Sequence, residues 1–129
     1  MKKNLFIAIL IFISSCSPQL KEKGEINLPN GEGKPVKVKY EIYEFPKFAK
    51  KYTMKDFEGM ANKSADVAKS ICKNDLTFEP IEFKLYSAGS GDTMTVNFDM
   101  SAKNGFGVPQ KQKVYVDFVG TRYIGYFAN

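Results

Sequence analysis

Few side chains here can do chemistry, and their types narrow what chemistry that is. The 129 residues include no histidine, the usual general base near neutral pH. That excludes a Cys–His pair and any His-containing zinc site. Of the two cysteines, Cys72 follows Ile71 on an apolar helical stripe and reads as a small buried hydrophobe rather than a reactive thiol. Asp99 and Asp117 fall on the outward side of two strands. As neighbours they would suit a cation or acid–base work; as separate residues they are solvent-facing charge. Gly89-Ser90-Gly91-Asp92 lacks the following Lys-Ser/Thr of a phosphate loop and reads as a hairpin turn. The expectation is a chain that is not an enzyme and carries no cofactor and no metal.

Contact chemistry is better represented. Phe106 sits between two glycines in a loop expected over 103–112. There it either anchors a partner or folds back over the core. Tyr43, Tyr86 and Tyr115, with Tyr123 or Tyr126, fall among Lys, Thr, Asn and Asp on outward strand positions, a composition suited to protein or glycan contact. Met54, Met60, Met94 and Met100 offer an alternative: a carrier for a small apolar ligand, with a pocket between helix and sheet lined by flexible thioethers. Otherwise they fill the core.

The start of the chain has its own logic. Lys2 and Lys3 precede an unbroken apolar run from Leu5 to Ile13, then Ser14-Ser15-Cys16. This is a signal-peptide layout, and the run is too short for a membrane span of roughly 20 residues. Ile13-Ser14-Ser15-Cys16 resembles the lipobox of bacterial lipoproteins. The resemblance implies that the Ser15–Cys16 bond is cut and that Cys16 takes a diacylglycerol and an amide-linked acyl chain. Ser17 after the cysteine is similar to the enterobacterial pattern sent to the outer membrane. A single acyl chain holds a protein only marginally, at ~0.8 kcal/mol per buried methylene, whereas two or three make attachment effectively permanent. The expected partners are membrane lipid through Cys16 and an envelope protein.

Losing Lys2 and Lys3 with the signal leaves 17 basic groups against 14 acidic ones, so the net charge falls from +5 to +3. Spread along the chain, that is no nucleic-acid footprint. The length suits one domain. The expected organisation is a signal over 1–15, a lipidated N-terminus and flexible spacer over 16–33, and one domain over 34–129. The spacer, rich in Pro, Gly and charge, would span ~20–25 Å; its other reading is a short strand around Ile26 and Leu28.

Positioning falls to the elements. Val36, Val38, Tyr40 and Ile42 alternate with polar residues as in a half-buried strand. Thr53 and Asp56 mark a helix start, and Phe57, Met60/Ala61, Ser64, Val67/Ala68 and Ile71 recur at helical spacing to about Lys73. Residues 76–87 read as a strand interrupted at Pro80, with Ile81, Phe83 and Leu85 inward. Residues 93–102, 113–119 and 122–127 read as three more. No internal repeat is expected. The fold class is α+β: one amphipathic helix on an antiparallel sheet of about five strands, in the order β-α-β-β-β-β. That order is similar to the cystatin and monellin arrangement, but no Gln-x-Val-x-Gly inhibitory motif is present, so protease inhibition does not come with it.

Overall fold

The computed structural model describes residues 18–44, 52–87 and 92–129. The signal run, Ser15 and Cys16 lie outside the described residues, as do 45–51 and the glycine pair of the expected 88–92 turn. Six strands and one long helix follow: β1 (Gln19–Pro29), β2 (Pro35–Glu44), α1 (Met54–Ser70), a 3-10 turn (Asp75–Thr77), β3 (Glu79–Ser87), β4 (Thr93–Lys103), β5 (Pro109–Val119) and β6 (Arg122–Ala128). The strands form a single sheet in sequence order, and α1 packs on one face. The fold is α+β, as expected. The order after β1 is β-α-β-β-β-β, but the sheet has six strands rather than about five.

The sheet is also mixed rather than antiparallel. β2 and β3 run parallel, with Tyr40 beside Phe83 and Ile42 beside Leu85. The helix is the reason: it carries the chain from the end of β2 back to the end where β2 began, so β3 starts in the same direction.

The second correction concerns the spacer. Residues 19–29 form β1, paired antiparallel with β2 from Gln19↔Glu44 to Pro29↔Pro35. The inward positions are Glu22, Gly24, Ile26 and Leu28, so the apolar alternation is interrupted twice. Tyr40 fills the gap. Its ring lies over Gly24, where an added Cβ would come within 3.0 Å of the phenol oxygen, and its hydroxyl donates to Glu22 Oε1 at 3.3 Å.

Helix α1 forms where its caps predict. Thr53 Oγ1 accepts from the Asp56 amide, and Asp56 Oδ2 accepts from the Thr53 amide at 2.9 Å, a reciprocal capping box. Phe57, Met60, Ala61, Ser64, Ala65, Val67 and Ala68 are buried. Four of these are small, which lets the helix lie close to the sheet. The buried Ser64 hydroxyl donates to Met60 O at 2.8 Å and so carries no unmet polar group into the core.

Under the helix, Met94, Val96, Phe98 and Met100 of β4 and Val114, Val116 and Phe118 of β5 are all buried, as their alternation predicts. Phe98 stacks between Phe78 and Phe83, each at 6.3 Å. In β3 the pattern changes phase. Pro80 pairs with Met100 and Glu82 with Asp99, so Ile81 is extruded as a bulge and is exposed rather than inward. Pro80 lies beyond the stretch of β3 that pairs with β2, so its missing N–H removes no bond from the β2–β3 ladder.

Candidate binding face

With the helix covering one face, the other face of the sheet stays open, and the strand register builds it row by row. One row runs Leu20–Tyr43–Tyr86–Thr95–Asp117. The next runs Lys23–Glu41–Lys84–Asn97–Tyr115–Phe127, and a third runs Glu25–Lys39–Glu82–Asp99–Lys113. Opposite charges alternate across Lys23–Glu41–Lys84, across Glu25–Lys39–Glu82 and at Asp99–Lys113. Such cross-strand pairs each contribute roughly 0.2–1 kcal/mol. Lys84 Nζ lies 3.8 Å from Glu41 and Lys113 Nζ 3.7 Å from Asp99. The lattice is balanced, so the face has no strong sign of its own.

The aromatic residues gather at one end of this face. Tyr43 and Tyr86 stack with centroids 4.9 Å apart and planes 10° from parallel. The Tyr43 hydroxyl donates to Glu41 Oε2. That bond, then desolvation and the Glu41 charge, push the phenol up to about 12. Tyr115 lies one row over, against Phe127 at 6.2 Å. Thr95 Oγ1 donates to Asp117 Oδ1 at 2.8 Å between the two pairs. Three shallow depressions of about 360, 130 and 340 Å³ open side by side on the charged rows, joined through Glu82, Lys84, Asp99 and Lys113. The shape is a broad, shallow trough walled by long charged side chains, with an aromatic corner, which suits an extended macromolecular surface.

Tyr43, Tyr86 and Tyr115 thus share one face. Phe106 does not join them. The loop at the end of β4 lies nine residues from Thr95, about 30 Å along the strand. Phe106 is 93% exposed, so it does not fold back over the core. The loop is also shorter than expected. Residues 109–112 belong to β5 and pair with Met100–Lys103, leaving only 104–108.

That short loop is a copy of another. Asn104-Gly105-Phe106-Gly107-Val108-Pro109 matches Asn30-Gly31-Glu32-Gly33-Lys34-Pro35, so the expectation of no repeats is corrected. In each, the asparagine Oδ1 accepts two amides, from residues two and four further on. In each, the second glycine takes a positive φ, 80° at Gly33 and 76° at Gly107. The strand directions put both loops at the same end of the sheet, on either side of the 3-10 turn.

Asp99 and Asp117 are not paired. Each is opposite a different partner, and four residues of β5 separate their rows, about 13 Å. Among the described residues no three His, Cys, Asp or Glu side chains gather to hold a metal. Cys72 donates to Ala68 O at 3.2 Å and lies 3.8 Å from the Met100 sulfur. Burial, and then Asp75, push its thiol up. Met60, Met94 and Met100 are buried in the core and Met54 is half-buried at its rim. The hollow beside Met54, between helix and sheet, has no room for a water-sized sphere.

Compared with protein families, curated proteins and solved structures, the chain matches none. Phe127 and the β1 residues Leu20, Lys23 and Glu25 escaped the sequence pattern, whereas Thr95 was already on the outward side of its strand. Only the register, which places Phe127 opposite Tyr115 and Leu20 opposite Tyr43, brings them in.

Proposed function

We propose that this chain is a lipid-anchored module of the bacterial cell envelope that binds an envelope protein without catalysing a reaction. The open face carries this reading: a wide, charge-balanced trough edged by the Tyr43–Tyr86 stack. The stacked aromatics match the tyrosine enrichment of protein contact surfaces, and the paired charges suit their polar rim. The balanced sign disfavours nucleic acid. Filled methionine positions weigh against a carrier with an internal pocket.

In this reading Ser15–Cys16 is the cleaved bond and Cys16 holds the acyl chains, with the outer membrane as destination. Because β1 begins at Gln19, only Ser17 and Pro18 separate the acylated residue from the sheet. The domain is therefore held at the headgroups rather than lifted from them by a spacer, and its partner must come to the bilayer surface.

The test is a photo-reactive amino acid at Asn97, central on the open face, compared with Asn62 on the solvent side of α1. In intact cells, Asn97 should give one discrete protein adduct and Asn62 none. Equal adduct patterns from both positions, or none from Asn97, would reject the open face as the binding surface.

A further inference from the structure

The two edges of the sheet are treated differently. β1 carries Lys21, Glu22, Lys23 and Glu25, a bulge between Leu20 and Glu22, and Pro29 at its end. Charge, bulges and proline are the devices that stop an edge from pairing with another chain. After Arg122, β6 has no charge and no proline. Residues 123–128 read Tyr-Ile-Gly-Tyr-Phe-Ala, with Ile124 51%, Tyr126 50% and Phe127 62% exposed. Its one bulge lies near the start, where Asp117↔Gly125 gives way to Phe118↔Tyr123.

The hydrogen-bond phase of this edge can be worked out. The Asn129 amide donates to Lys113 O at 3.0 Å, in line with the Val114↔Ala128 register. Antiparallel ladders alternate, so Phe127 and Gly125 face β5 with their main-chain groups, while Tyr126 and Ala128 turn theirs outward. An extended strand can therefore be added at Tyr126 and Ala128.

We propose that β6 pairs antiparallel with β6 of a second copy of this chain, about a two-fold axis at Tyr126. Three features single out a copy of itself. At this register Tyr126 faces its own counterpart, and both direct N–H and C=O toward the axis, as a hydrogen-bonded pair requires. Gly125 falls opposite the second copy's Phe127 on the open face, so that each ring covers the other copy's glycine. The paired residues 124–128 carry no charge, so no like charges meet across the axis. The contact is isologous and closes at two copies, joining two six-stranded sheets into one. Its axis is normal to the sheet, so both β1 starts lie at equal height along it. Two acyl anchors on one bilayer need that geometry, although the pairing stands on β6 alone.

The test uses the full-length chain in its membrane with single cysteine substitutions, under mild oxidation, read on a non-reducing gel. Residues opposed in a hydrogen-bonded pair have Cα atoms about 5.5 Å apart, within disulfide range. Tyr126→Cys should give a band at twice the chain mass that disappears on reduction. The unsubstituted chain sets the background. Lys23→Cys, on the guarded edge, and Phe127→Cys, out of register with itself, should stay at that background. The double substitution Gly125→Cys/Phe127→Cys, which spares Tyr126 and sets the two positions opposite each other across the axis at about 4.5 Å, should give the same dimer. No dimer from either variant overturns the proposal. So do equal yields from Tyr126→Cys and Lys23→Cys, which would mean random collision, and so does an adduct from Tyr126→Cys to a different protein.

Discussion

The twin Asn-Gly-x-Gly loops allow a sharp comparison, because their first glycines stand in different surroundings. Gly31 is buried against the 3-10 turn, and its amide donates to Phe78 O at 2.7 Å. A Cβ built there would lie 2.2 Å from Asp75 O and 2.4 Å from Leu76 O, both backbone atoms. The nearer contact is 0.8 Å short of the 3.0 Å below which real Cβ atoms essentially never approach. Gly31→Ala must therefore push the turn away. Overpacking costs ~1–3 kcal/mol and the strained hydrogen bond about 1 kcal/mol more, so a loss of ~3 kcal/mol is expected. For a domain near 100 residues that is a fall in Tm of roughly 12 °C. Gly105, the same position in the second loop, has nothing within 4 Å of its Cβ position and no positive φ. Gly105→Ala should stay within ~0.5 kcal/mol. Urea and thermal unfolding of both variants measure the difference. Equal losses, or a neutral Gly31→Ala, would refute the packing of the first loop on the 3-10 turn.

Other expectations follow from single groups. Phe106→Ala should leave stability within ~0.5 kcal/mol, because the ring is already in solvent; a loss of ~3 kcal/mol in urea unfolding would mean that it packs. Tyr43 should be among the last tyrosines to ionise in an absorbance titration at alkaline pH. Its folded value, pushed up to about 12, lies above the ordinary 10.0. Its contribution to stability is therefore full below pH 10 and lost as pH rises toward 12, and Tyr43→Phe should remove that late step. Cys72, also raised above its ordinary 9.0, should favour the folded state below pH 9 and lose that contribution above it. At pH 8 it should label slowly with a thiol reagent in the folded protein and quickly once unfolded.

What was legible in the sequence follows from how each element is stabilised. α1, β2, β4 and the central part of β5 bury an apolar stripe at their own period, and Thr53 and Asp56 announce the helix start, so local pattern sufficed. β1 was hidden because it is an edge. Glu22 and Gly24 occupy inward positions, and what completes the strand is the ring of Tyr40, eighteen residues away from Glu22. Ile81 was misplaced because a bulge shifts the phase of β3, and nothing local distinguishes it from an inward isoleucine. The parallel pairing of β2 with β3 depends on where α1 returns the chain, a matter of topology. The candidate face was half legible. Alternation put Tyr43, Tyr86 and Tyr115 on one side of the sheet, but only register stacked Tyr43 on Tyr86, brought Phe127 to Tyr115, and separated Asp99 from Asp117. The Asn-Gly-x-Gly-x-Pro repeat was present in the letters. Its meaning, two amides held by each asparagine at one end of the sheet, needed the hairpins.

In the proposed reading, the anchor at Cys16 decides where everything else happens. Its most direct test is metabolic labelling of cells with a clickable fatty acid, followed by fractionation and mass determination of the protein. The lipid-anchored account predicts a labelled membrane species beginning at Cys16, and a Cys16→Ala chain that is unlabelled and either uncleaved or released. An unlabelled protein that is cut elsewhere, or a cleaved Cys16→Ala chain that stays on the membrane, would contradict it.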